Sequence, residues 1–100
     1  MYIAEYAFYQ CTGLTELNIP EGVVIIGYKA FEKCTGLKKI LFLVSIDYIG
    51  DISFKDCDNL TDVYYSGTRE QWWEVDIEPG NRPLKKATIH YKSNMPDESE

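Results

Sequence analysis

The chain has few of the residues from which chemical sites are made. Its 100 residues include one histidine and three cysteines. A zinc site takes about four thiolate or imidazole ligands, usually offered as close Cys-x-x-Cys pairs. Cys11, Cys34 and Cys57 form no such pair, and His90 stands alone. No Gly-x-Ser-x-Gly nucleophile setting occurs; Ser66 precedes Gly67 in an expected turn. Asp56, Asp58 and Asp62 lack the glycine and terminal glutamate of an EF-hand loop. No catalytic residue, metal or cofactor is therefore expected, and the chain is not read as an enzyme. Basic residues are also scarce, 10 against 16 acidic ones for a formal net charge of -6. That balance sets it against tracking nucleic-acid phosphates. No apolar run reaches the roughly 18 residues of a membrane span, so no membrane insertion is expected. No basic, then apolar leader opens the sequence.

Proline and glycine are few, 4 and 7, while 45% of residues are hydrophobic and 14% aromatic. Such a composition can bury a core, and the length suits one small domain or a few rungs of a repeat array. The second reading is favoured by internal repetition. Phe8, Cys11 and Leu14 return as Phe31, Cys34 and Leu37 and again as Phe54, Cys57 and Leu60. The step is 23 residues, the spacing between positions 8, 31 and 54. It also aligns Ile3, Ile26 and Ile49, and Leu17, Ile40 and Val63.

Within each copy, "LTELNI", "LKKILF" and "LTDVYY" place apolar residues first, fourth and sixth, and the last two keep the period of a half-buried strand. A turn follows, then a stretch such as "IGYKAFEKC", short enough for one helical or 3-10 turn carrying the Phe inward. One such unit cannot bury its apolar face alone, so it must stack on neighbours. A fourth strand is expected at "LKKATI", with Leu84, Ala87 and Ile89 beside Leu60, Val63 and Tyr65. Before it, "TREQWWEVDIEPG" reads as a lid helix, capped by Thr68 and Gln71 and ended by Pro79 and Gly80. Repeats are thus expected over 1–67, a cap of helix and last strand over 68–92, and a disordered acidic tail over 93–100.

The fold class that follows is an α/β repeat solenoid. It is an arc of about four short parallel strands with short helical or 3-10 returns and a C-terminal helix–strand cap. Its expected core columns are Phe8, Phe31 and Phe54; Cys11, Cys34 and Cys57; and Leu14, Leu37 and Leu60. The thiols are read as small hydrophobes in a wall, with no disulfide, which suits surroundings that keep thiols reduced. Stacked strands lie about 4.8 Å apart, so equivalent residues form ladders. The outward third position gives Glu16, Lys39, Asp62 and Lys86, alternating in sign. The fifth gives Asn18, Leu41, Tyr64 and Thr88. Lys39, Leu41, Asp62, Tyr64, Lys86 and Thr88 are accordingly the candidate partner-binding residues. Tyr2, Tyr6, Tyr9, Tyr28, Tyr48 and Tyr64 fall at positions that are not consistently apolar, and several should stand at the surface. Rings of this kind are enriched at interfaces, although single surface aromatics usually have no role.

"YAFYQCTGLTELNIPEGVVIIGYKAFEKCTGLKKI" resembles the BspA-type leucine-rich repeat, whose units join a "CxxLxxIxIP" half to an "IGxxAFxxC" half. "DVYYSGTREQWWEV" with "NRPLKKATIHY" is similar to the C-terminal cap of such arrays, and together these cover residues 3 to 92. One unit departs, with Leu43 where Pro20 stands in the first. The resemblance implies a curved solenoid forming the C-terminal part of a larger, often secreted or cell-surface, bacterial protein, some relatives being adhesins. The bound partner would be a protein. A structural end-cap with no partner of its own, and a cytoplasmic location, are the alternatives. The chain is expected to be a monomer, with association through the edge strand at Leu14 to Ile19 left open.

Overall fold

A computed structural model of the chain describes residues 1–93. Of the acidic tail expected over 93–100, residues 94–100 lie outside the described residues, while Ser93 donates its N–H to the Tyr65 carbonyl at 3.0 Å. The repeated strand pattern forms β2 (Glu16–Asn18), β4 (Lys39–Phe42) and β6 (Asp62–Tyr65), all parallel, and β8 (Thr88–His90) completes the sheet in the order β2-β4-β6-β8. The 23-residue step sets the register: Leu17 lies beside Ile40, and Ile40 beside Val63.

A second parallel sheet runs through the isoleucines ahead of each return. It consists of β1 (Tyr2–Ile3), β3 (Ile25–Ile26), β5 (Tyr48–Ile49) and β7 (Asp76–Ile77), in that order. Two residues per strand are too few to show a period of two, so this sheet is invisible to pattern reading. Between the sheets lies the core, in which Ile26, Phe31, Leu37, Ile40, Ile49, Phe54 and Val63 are fully buried.

Each of the three repeated returns is a run of successive turns, and among the described residues helix is confined to α1 (Arg69–Trp73) and α2 (Arg82–Lys86). Tyr6 and Gln10, Lys29 and Lys33, and Ile52 and Asp56 are left-handed, with φ between 57° and 65°. Such a conformation costs a non-glycine residue about 1–2 kcal/mol. It is offset along the stack: Tyr6, Gln10, Lys29, Lys33 and Ile52 each donate their N–H to a carbonyl of the next rung, at 2.8–3.2 Å. A helical return would bond within itself and leave the rungs unlinked there. Gly27 and Gly50 follow the short strands, and a Cβ on Gly27 would lie 2.8 Å from the carbonyl of Ile3. Glycine is what lets the rungs close to strand spacing.

The Phe column stacks with ring centroids 5.1 Å apart at both steps. Cys34 donates its thiol to the carbonyl of Phe8, and Cys57 to that of Phe31, each at 3.1 Å. All three cysteines are free. The Cys57 thiol is pushed well up by its hydrogen bond with Cys34 and by burial. The expected core is buried for Phe31, Phe54, Cys34, Cys57, Leu37 and Leu60, but not in the first rung. Phe8 is 37% exposed, and Cys11 and Leu14 are half-buried, because they lie on the end face of the stack.

The capping box at Thr68 and Gln71 is formed. The helix it starts is shorter than expected, however, ending at Trp73, and Asp76 and Ile77 enter β7 instead. Trp72 packs against Phe42 and Tyr65, whereas Trp73 is 69% exposed. Asn81 bonds to the last Phe of the column. In lower rungs Phe8 and Phe31 donate to carbonyls of Ala30 and Ser53; Phe54 donates to the Asn81 side-chain oxygen at 2.9 Å. The Asn81 amide also donates to the carbonyls of Gly50 and Glu78.

Candidate interaction surface

The outward face of β2-β4-β6-β8 carries two rows fixed by strand register. One is Glu16, Lys39, Asp62 and Thr88; the other is Asn18, Leu41, Tyr64 and His90. The fourth member of each row differs from expectation. Val63 pairs with Ile89, not Ala87. Pro83 sits in the first turn of α2, where its missing N–H costs nothing, and this helix takes up Leu84, Lys85 and Lys86 before the strand begins. Lys86 therefore leaves the ladder. It lines, with Lys55, Asp56, Asp58 and Arg82, a cleft of about 550 Å³ beside the last return. Thr88 moves into the charged row, and His90 takes the place beside Tyr64.

His90 creates a contact that the sequence reading lacked. Its ring stacks on Tyr64 with centroids 4.5 Å apart and planes 13° from parallel. Its Nε2 lies 2.8 Å from Oδ1 of Asp62. Thr61 donates to the other carboxylate oxygen at 2.8 Å. The hydrogen bond from His90, followed by that from Thr61, holds the Asp62 carboxyl below the usual aspartate range. Tyr64, expected to face a partner, is only 7% exposed because the imidazole covers it. Lys39, Leu41, Asp62 and His90 remain half-exposed, and Glu16, Asn18 and Thr88 are exposed.

This face can accept hydrogen bonds, charge and a modest apolar contact in adjacent rows. It brings together no nucleophile, base and oxyanion donor of the kind a hydrolytic site uses. Among the described residues, no three His, Cys, Asp or Glu side chains gather as metal ligands. No helix among them is long and apolar enough to cross a membrane.

The surface tyrosines lie elsewhere, around the short-strand sheet and the returns. Tyr2, Tyr6 and Tyr28 are exposed by 68%, 48% and 37%. Tyr6 meets Tyr9 and Tyr28 edge to face, and the Lys29 ammonium lies 5.3 Å from the Tyr28 ring centre. Lys29 also reaches Glu32, a buried carboxylate, at 3.8 Å.

Compared with known families, residues 1–72 match the one described as a BspA type leucine rich repeat region (6 copies). No curated protein and no solved structure matches the chain.

Proposed function

The chain belongs to the BspA-type leucine-rich repeat family, and from that premise we propose that it is the partner-binding part of a secreted or cell-surface bacterial protein of adhesion type. Repeat modules of this family serve protein interaction and are generally non-catalytic. The observation that carries the proposal is the face of β2-β4-β6-β8, where Lys39, Leu41, Asp62 and His90 are held in register on a rigid sheet without being used by the fold's core. A preorganised mixed surface loses little side-chain freedom when a partner docks.

A second reading rests on Asn81, Trp72 and Leu84. They are buried against the last repeated rung, which supports reading 68–92 as a structural end-piece with no partner of its own. One experiment separates the two. A photo-crosslinking amino acid is placed at Leu41 and the chain is irradiated on intact cells and with surface extracts. The interaction reading expects a discrete protein adduct that disappears when Lys39→Glu is added while the circular dichroism spectrum stays unchanged. An absence of adducts from Leu41 leaves the end-cap.

A further inference from the structure

The short-strand sheet has its own outward row. Register places Tyr2 beside Ile25, Ile25 beside Tyr48 and Tyr48 beside Asp76. Next to it, one turn further along each rung, the 23-residue step aligns Glu5, Tyr28 and Asp51. Between the two rows stand Gly27 and Gly50, held side-chain-free by the close approach of the rungs. The result is a trough of about 310 Å³, floored by backbone and walled by Tyr2, Ile25, Tyr28, Tyr48, Glu5 and Asp51.

The charged residues of its lining, Glu5 and Asp51, are acidic, and the one cation beside it is Lys29, already seated over the Tyr28 ring. Burial, then the charges of Glu78, Asp51 and Asp76, raise the Tyr48 phenol above its ordinary value. None of Glu5, Asp51, Asp76 and Glu78 is ion-paired among the described residues, where the pairs formed are Lys29 with Glu32 and His90 with Asp62. Aromatic faces ringed by unpaired carboxylates attract cations twice over, through the ring quadrupole and through charge. The neighbouring Lys29, seated over Tyr6 and Tyr28, shows the same chemistry within the chain. Arginine suits such a site best, since its flat guanidinium stacks on rings and bonds to carboxylates in a fork. We propose that the trough between Tyr2–Ile25–Tyr48 and Glu5–Tyr28–Asp51 docks an arginine-bearing polypeptide segment of a partner protein. This surface lies on the other sheet from the one under "Proposed function" and stands independently of it.

The probe is a short fluorescein-labelled peptide alternating arginine and glycine, followed by anisotropy, with glutamate in place of arginine as control. The arginine peptide is expected to bind and the glutamate peptide not to bind. Tyr2→Ser with Tyr28→Ser should weaken binding about tenfold, the size of one or two lost cation–π contacts. Both rings are exposed, so the core is untouched. If that variant loses its native circular dichroism, Asp51→Asn, at an exposed turn residue, carries the same expectation. Glu70→Gln with Glu74→Gln removes two exposed charges on and just after α1 and should change affinity less than about twofold. Lys39→Glu on the other sheet should not weaken binding, which keeps this surface distinct from that one. Equal weakening by the tyrosine and α1 variants would overturn the proposal, because general attraction by an acidic protein would then be enough. Sedimentation showing a dimer that Tyr2→Ser dissolves would also overturn it and assign the trough to a second copy of the chain.

Discussion

The two ends of the stack solve the same problem differently. At the first rung Phe8, Cys11 and Leu14 show part of their surface, and β1 and β2 are sheet edges. At the last, Trp72 and Leu84 cover the core, and the Asn81 side chain supplies the acceptor that another rung's backbone would have offered. The residues that make a rung are nearly the same in both places. What differs is whether something lies on top, so burial here is a property of position in the stack more than of the repeat. That is the behaviour of a nearly one-dimensional array, where stability comes from interfaces between neighbours.

The difference is sharpest in the Phe column. Phe31→Ala removes a ring that is fully buried between two others, and should cost about 3–5 kcal/mol in urea unfolding. Phe8→Ala, in the same repeat position but 37% exposed, should cost about 1–2 kcal/mol, since only part of its surface leaves water on folding. Equal losses at the two positions would break the comparison, because the first rung would then be as covered in solution as the second.

Asn81→Ala tests the other end. It removes the acceptor of the Phe54 N–H and the side-chain donor to the Glu78 carbonyl, while the Gly50 carbonyl keeps the Ser53 hydroxyl at 2.6 Å. With one to three kcal/mol for a buried polar group left unpaired, and with some readmission of water, a loss of about 2–3 kcal/mol is expected. Hydrogen exchange should show the increase at Phe54 ahead of Phe31. A change below about 0.5 kcal/mol would mean that Asn81 fills space without capping.

The same contrast explains what could be read from the sequence. The repeat step, the strands at Glu16–Asn18, Lys39–Phe42 and Asp62–Tyr65, and the buried Phe and Cys columns of the middle rungs all follow from residues that recur, so their register was legible. The capping box at Thr68 was legible as a local motif. Where the repeat ends, the guide ends. Ala87 and Ile89 fit the strand pattern two residues out of place, and only the competing helix preference of Pro83 to Lys86 shows why. That slip hid the Tyr64–His90–Asp62 contact. The sheet of β1, β3, β5 and β7 was missed for another reason: two-residue strands are held by bonds between rungs, which no pattern inside one rung records.

The displaced register supplies the smallest effect and the finest test. β8 is fastened to β6 in part by His90, whose hydrogen bond, with that of Thr61, keeps the Asp62 carboxyl below the ordinary range. A carboxyl whose folded value is depressed stabilises the fold above its unfolded value, near 3.9, and that contribution disappears as the pH falls through the folded value. The pair is partly open to solvent, so screening limits the contribution to less than about 1 kcal/mol. Asp62→Asn should therefore be less stable than the parent at about pH 5, and the gap should close by about pH 2. The comparison is internal, since the imidazole can be removed separately: Asp62→Asn made in a His90→Gln background should show a smaller difference across the same range. A parallel acid dependence in both backgrounds would mean that the general charge of the chain, and not the His90 contact, sets the slope at Asp62.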